Sequence, residues 1–505
     1  MLAAVVREAA SRWGDASYAI APGGWTLSYT QLDRISDEVA ATLSADGIGV
    51  GDVVVLRLPT SPDHVIAYVA CAKVGATTAA INQRLTPSEQ DALVELARPS
   101  LVIDDSMLGD SPDSVLWPLR RGPATVAPLP EDPDRPVAVV FTSGTTGLPK
   151  AATFGARQLR FITQVDTRGR WGGGGASLGA TSLAHLGPTT KLTGSLMRGG
   201  TTVLVDRWHA DAALELTERH AMSTVAGIPT QIAMMLRDPA FAGRDLSAVR
   251  AVIMGGAPAT AALVAEAAER LGAAVAVRYS CTEAGIGTGT SFTDPISDAA
   301  ESVGRPHDGV TLSIRDPESG EAVAPGEIGE VCFASPAVMS GYWRDHDATA
   351  AVLYPDGALR TGDLGRVDHR GRLVLAGRSR EMYVRGGYNV FPIEVEGVLA
   401  TIAGVAEVAV VARPDDVMGE VGVAFVVAEP GATVRPDDVR RAASDRLAHH
   451  KLPHDVIVVD ALPLTPMDKV DKRALTIRAV RAALAERVSP RGHPGRAAPG
   501  RSCRR

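Results

Sequence analysis

Hydrophobic positions along the chain switch between a helical and a strand-like spacing. Leu32, Ile35, Val39 and Leu43 fall on one face of a helix, and the run Val53-Val54-Val55-Leu56, ending at Pro59, reads as a short buried strand. A helix around His64–Ala72, a strand over Thr78–Ile81 and a helix opened by Thr86-Pro87-Ser88-Glu89 follow. The rhythm returns as a helix at Asp211–His220, a strand at Ser223–Ala226, a helix at Thr230–Arg237, a strand at Val249–Met254 and a helix at Thr260–Leu271. Such alternation predicts an α/β fold with a mostly parallel sheet. Past residue 300 or so, Val310–Arg315, Gly329–Ala334 and Arg372–Leu375 read as strands joined by tight turns such as Pro355-Asp356-Gly357. A boundary is expected near Arg378–Glu381, followed by a compact α+β segment with strands at Val405–Ala412, Val421–Val427 and Val456–Val459. The run Gly172–Gly175 reads as a flexible loop, with a flap beside the active site as the functional alternative.

Composition narrows the class. At 505 residues the chain exceeds a typical single domain. A net charge of −7 supplies no basic footprint, so nucleic acid is not expected as a partner. Cys71, Cys281, Cys332 and Cys503 are scattered, which argues against a zinc site or a disulfide framework and fits a reducing compartment. Arg7 and Glu8 interrupt the first apolar residues, so no signal-peptide core is read there. The longest apolar stretch, Val65–Ala72, is too short to span a membrane. A cytoplasmic protein without membrane insertion is the expectation.

Candidate chemistry starts at Phe141-Thr142-Ser143-Gly144-Thr145-Thr146-Gly147-Leu148-Pro149-Lys150, directly behind the apolar run Val137–Val140. Hydroxyls, uncovered backbone N–H groups and one ammonium are what a polyphosphate needs. The spacing is not that of a Walker A loop, in which the lysine adjoins the second glycine. Gly255-Gly256-Ala257-Pro258 follows a strand and lets backbone approach a flat ligand. Tyr279-Ser280-Cys281-Thr282-Glu283 offers an aromatic ring for a base and a carboxylate for Mg²⁺. Arg360-Thr361-Gly362-Asp363 offers a carboxylate for ribose hydroxyls. Gly377-Arg378-Ser379-Arg380-Glu381, Arg385-Gly386-Gly387-Tyr388-Asn389-Val390 and Leu462–Lys469 complete the series.

In this order, over about residues 10–480, these segments resemble the adenylate-forming superfamily of acyl- and aryl-CoA synthetases, peptide-synthetase adenylation domains and luciferases. The resemblance implies an α/β fold: a large N-terminal domain of mixed sheets with packed helices (1–379) and a small mobile α+β C-terminal domain (380–486). A disordered basic tail (487–505), carrying Arg491, Arg496, Arg501, Arg504 and Arg505, is expected to follow. It implies ATP, Mg²⁺ and, as acceptor, coenzyme A. By the resemblance, Thr142, Ser143, Gly144, Thr145, Thr146 and Lys150 clamp the β- and γ-phosphates, and Gly256, Ala257 and Pro258 line the adenine, on which Tyr279 stacks. Thr282 contacts the α-phosphate; Glu283, with Thr145, binds Mg²⁺; Asp363 holds the ribose and Arg378 assists. Arg380 is the hinge, Gly386 and Gly387 approach the thiol tunnel after the small domain rotates, Lys469 is the catalytic lysine and His185 stands beside the acyl pocket.

The chain departs from the family pattern at four places. Ser280 replaces a glycine, Asp468 replaces the glycine before the lysine, Ala184 replaces an aromatic residue before the histidine, and Arg380 stands where Asp or Lys is common. The expected activity is an ATP-dependent carboxylic acid–CoA ligase working through an acyl-AMP. The alternative hands the acyl group to a carrier-protein phosphopantetheine in trans. The small lining Ala284-Gly285-Ile286-Gly287 suits an aryl or medium-length acid and shows no obvious cation for a second carboxylate, Lys191 being the one exception to weigh. A homodimer is left open.

Overall fold

The computed structural model describes residues 1–142, 149–465 and 469–488, which form two compact units. The larger extends to Ser379 and includes Lys469; the smaller runs over Arg380–Thr465 and resumes at Val470.

In the larger unit a six-stranded sheet has the order Gly341–Tyr342, Lys150–Gly155, Pro136–Thr142, Thr77–Ala80, Val53–Arg57, Leu101–Asp104. The last four strands are mutually parallel, and Lys150–Gly155 runs antiparallel to both of its neighbours. Thr142 sits opposite Lys150, so the two ends of the decapeptide are the legs of a hairpin. A hairpin needs only a short connection, whereas a parallel neighbour needs a crossover, and the hairpin adds antiparallel pairing to a sheet that is otherwise parallel.

A five-stranded sheet runs Thr224–Gly227, Ala251–Gly255, Ala274–Tyr279, Thr288–Gly289, Arg305–Pro306, parallel through its first three strands. The loops leaving Gly255 and Tyr279 therefore emerge at the same carboxyl edge, where α/β sheets bind ligands. A wholly antiparallel sheet orders Thr311–Arg315, Gly329–Ala334, Leu359–Val367 and Leu373–Arg378. The fourth sheet orders Thr26–Ser28, Ser17–Ile20, Thr201–Leu204 and Ala176–Gly179.

The helix Tyr29–Ala45 buries Leu32, Ile35, Val39 and Leu43 and starts with a reciprocal cap between Ser28 and Gln31. Thr86 and Glu89 cap Pro87–Ala97 the same way, which is why that start was visible in sequence. The helix Leu2–Trp13 was not anticipated. Arg7 and Glu8 break the apolar run but leave Leu2, Val6 and Ala9 buried on one face. Gly172–Gly175 is a loop, as its composition predicts, and it is tied to the neighbouring helix end. Gly172 and Gly174 donate to the Met197 and Arg198 carbonyls at 2.9 Å each, and a Cβ on Gly174 would stand 2.7 Å from Gly200 N. Close backbone approach accounts for the glycine at 174.

One charged group is sealed inside this unit. Lys73, with no side-chain exposure, places Nζ 2.6 Å from Asp33 Oδ1 and 2.8 Å from Asp37 Oδ1. Lys73→Ala is expected to cost about 3–5 kcal/mol of unfolding free energy in urea, because it strips buried Asp37 and part-buried Asp33 of their close counter-ion and leaves Asp37 only Arg7, at 3.6 Å. A loss below about 1 kcal/mol would refute that reading.

The smaller unit is built on the strand Gly419–Ala428. It pairs antiparallel with Val405–Asp415 and Tyr383–Arg385 and parallel with Asp455–Val459. The strand Tyr388–Val390 returns beside Tyr383–Arg385. One sheet face packs Val395, Leu399, Val439 and Ala443 from the helices Pro392–Leu399 and Pro436–Ser444. The other packs Leu475 and Ala479 from Lys472–Val488. That last helix continues two residues past 486, and 489–505 of the expected tail lie outside the described residues.

Candidate active site

Asp363 anchors the first group of candidate residues. Strand register sets it opposite Arg378, whose Nε donates to Oδ1 at 3.1 Å. Tyr279, at the end of its parallel strand, donates its hydroxyl to Oδ2 at 2.7 Å. The Thr361 hydroxyl accepts the Asp363 N–H at 3.1 Å. Burial, followed by the Asp363 charge, pushes the Tyr279 phenol well above its usual range, so it stays a donor. Its ring lies 5.9 Å from Phe333 in a tilted contact. Side chains from two sheets thus fix both oxygens of one carboxylate.

Lys469 joins this group. A Cβ on Gly256 would stand 4.0 Å from its Nζ, which places the ammonium at the turn leaving Ala251–Gly255. Burial and then the Arg378 charge hold its pKa below the ordinary lysine value, and Asp363 opposes them. Ala257 and Pro258 continue the turn toward the helix Ala261–Leu271, capped by the Thr260 hydroxyl.

The second group surrounds Glu283. Its Oε1 accepts the Tyr342 hydroxyl at 2.7 Å, and its backbone carbonyl accepts Met339 N–H at 2.8 Å. Lys150, first residue of Lys150–Gly155, holds Nζ 4.8 Å from the centre of the Tyr342 ring. Thr142 faces it across the hairpin, and Thr282 is half-buried in the loop before Glu283. Ser143, Gly144, Thr145, Thr146 and Asp468 lie outside the described residues. Among the described residues no cluster of three His, Cys, Asp or Glu side chains could hold a metal alone. A single carboxylate suits Mg²⁺, which takes one or two carboxylates and completes its shell with water and substrate phosphates.

His185 precedes the helix Leu186–Arg198, with Nε2 3.2 Å from Asn82 Nδ2. The amide is the donor, so the imidazole proton sits on Nδ1. Burial, ahead of the Lys469 and Arg84 charges, pushes His185 down to about 4, and it is neutral at physiological pH. Ala184 is buried and Ser280 exposed, its hydroxyl bonded to the Cys281 carbonyl at 3.0 Å.

In the smaller unit Arg380 is exposed, and Gly386-Gly387 forms the two-residue turn between Tyr383–Arg385 and Tyr388–Val390. Their φ values of +58° and +87° are those of a type I′ turn, which bulkier residues resist.

Sequence reading missed Asn82 and Tyr342. Asn82 lies just beyond the carboxyl end of the parallel strand Thr77–Ala80, a position that α/β geometry favours for a site. Tyr342 had no such signal. The small lining also changes meaning. A Cβ on Gly285 would meet the Ala337 carbonyl at 2.4 Å, and one on Gly287 the Tyr279 carbonyl at 2.6 Å. Ala284 and Ile286 pack in the core with Phe154 and Phe333. These small residues answer to close packing of two segments and do not measure the acyl pocket.

The AMP-binding enzyme profile matches residues 6–343, and the AMP-binding enzyme C-terminal domain profile matches 394–469. A fatty acid–acyl-carrier-protein ligase of Streptomyces coeruleorubidus is 32% identical over 481 residues, covering 90% of this chain and 92% of that one. An indoleacetate–CoA ligase of Aromatoleum aromaticum is 31% identical over 504 residues, covering 92% and 96%. The crystal structure of ATP-bound MatB from Rhodopseudomonas palustris aligns with a TM-score of 0.85 at 28% identity, over 95% of this chain and 99% of that one. With matched profiles over both units, and relatives aligned nearly end to end, this chain belongs to the AMP-binding enzyme family.

Proposed function

We propose that the protein is an ATP-dependent carboxylic acid–CoA ligase that forms an acyl-AMP and then an acyl-CoA thioester. The observation that carries this reading is Asp363, gripped by Tyr279 and Arg378 beside the Lys469 ammonium. That arrangement suits a nucleoside whose ribose hydroxyls meet a fixed carboxylate while an ammonium stands at the neighbouring phosphate. The substrate carboxylate attacks the α-phosphorus of ATP, forming the acyl–phosphate bond as the bond to pyrophosphate breaks. Both reactants are anions, so the obstacle is charge. Lys469 would neutralise it at the α-phosphate and Lys150 at the departing pyrophosphate. Glu283, with Thr145, would hold Mg²⁺, which when bound supplies further positive charge to the phosphate oxygens. Neutral His185, oriented by Asn82, would border the acyl group without adding charge. In the second half-reaction a thiol adds to the acyl carbonyl and AMP leaves, so no side chain of this chain becomes covalently modified. Gly386 and Gly387 would approach the thiol, with Arg380 as the hinge.

The test is ATP–pyrophosphate exchange over a panel of aliphatic and aryl acids. Exchange dependent on at least one acid is expected, and none across the panel would sink the reading. The carrier-protein relative favours a second reading in which the acceptor is a carrier phosphopantetheine. Chasing the isolated adenylate with free CoA or with a loaded carrier separates the two.

A further inference from the structure

Tyr342 is claimed by no motif, yet it stands between the two charged groups expected to meet the triphosphate. The strand Gly341–Tyr342 pairs antiparallel with Lys150–Gly155, and Tyr342 faces Ala152. Lys150, two residues from Ala152, projects on the same sheet face and is the diagonal neighbour of Tyr342. The ammonium therefore settles 4.8 Å from the ring centre, while the hydroxyl donates to Glu283 Oε1 at 2.7 Å. Met339 N–H holds the Glu283 carbonyl at 2.8 Å, so the short Met339–Tyr342 segment grips Glu283 by backbone and by side chain. Tyr342 is only 8% exposed, so its ring is held firmly.

We propose that Tyr342 is a positioning residue that keeps Lys150 and Glu283 apart and aimed, so that ammonium and carboxylate each reach ATP and its metal instead of pairing with one another. The ring carries Lys150, and the hydroxyl sets which lone pairs of Glu283 remain for a cation.

This inference rests on the reading of the site as an ATP site, and a binding experiment without acid or turnover keeps the two distinguishable. The melting temperature of the full chain is followed with ATP alone and with Mg²⁺ titrated at saturating ATP. Tyr342→Phe keeps the ring. It is expected to leave stabilisation by ATP alone unchanged and to raise the Mg²⁺ midpoint about tenfold, the worth of a hydrogen bond to a charged group. Tyr342→Leu removes ring and hydroxyl and is expected to weaken stabilisation by ATP alone. Adding Glu283→Gln to Tyr342→Leu should restore it, because the competing partner of Lys150 is then neutral. A wild-type Mg²⁺ midpoint in Tyr342→Phe, or an equal loss in Tyr342→Leu with and without Glu283→Gln, would overturn the proposal. Absence of any ATP stabilisation in the wild type would overturn the ATP reading and this one with it.

Discussion

Lys469→Ala is expected to reduce acid-dependent pyrophosphate exchange by at least about a hundredfold, the effect of removing one preorganised charge worth ~3–4 kcal/mol. Thiolysis of a supplied acyl-adenylate should stay largely intact, since that step forms no new bond at phosphorus and the proposed role of Lys469 is confined to the α-phosphate. Equal loss in both half-reactions would refute that division. The environment of the ammonium adds a second signature. Burial and the Arg378 charge hold its pKa below that of an ordinary lysine. The protonated form is the active one, so exchange should decline as pH rises through that lowered value, earlier than an exposed lysine would titrate. Lys469→Arg keeps a charge that does not titrate in this range and should remove the alkaline limb while lowering the rate. An unchanged limb would assign it to another group.

Asp363→Ala is expected to raise the KM for ATP about a hundredfold, with a smaller effect on kcat. The substitution withdraws the proposed ribose acceptor. It also removes the acceptor that the Tyr279 hydroxyl meets at 2.7 Å and Arg378 Nε at 3.1 Å. Truncating one member of such a hydrogen-bonded charged set costs roughly 2–5 kcal/mol. Asp363→Asn keeps the shape and one acceptor oxygen and should lie between. If Asp363→Ala alters melting temperature but leaves the KM for ATP unchanged, the carboxylate is structural only.

Much of the architecture was readable because burial writes a period into the chain. Leu32, Ile35, Val39 and Leu43 mark a helix wherever they occur, and all are at most 1% exposed. Val53–Leu56 marked a central strand for the same reason, since a strand covered on both faces is apolar throughout. The antiparallel partner Lys150–Gly155 was less legible, because it is buried almost throughout yet built mainly of small residues rather than a run of β-branched ones. The glycines at 285 and 287 show the opposite error. Their smallness is visible in sequence, but whether it serves a pocket or a close approach of backbones depends on what lies opposite.

The residue types behind the chemistry, their order and the family they resemble are properties of the chain itself. A phosphate-binding turn needs its hydroxyls, glycines and lysine in continuous sequence, and a short motif preserves them. The pairing of those residues belongs to the folded state. Tyr279 meets Asp363 across 84 positions, Tyr342 meets Glu283 across 59 and Asn82 meets His185 across 103. Such contacts arise where strands of different sheets end side by side, and no local spacing encodes them. The motifs name the groups; the strand registers decide which oxygen each donor holds and which charge stands beside which.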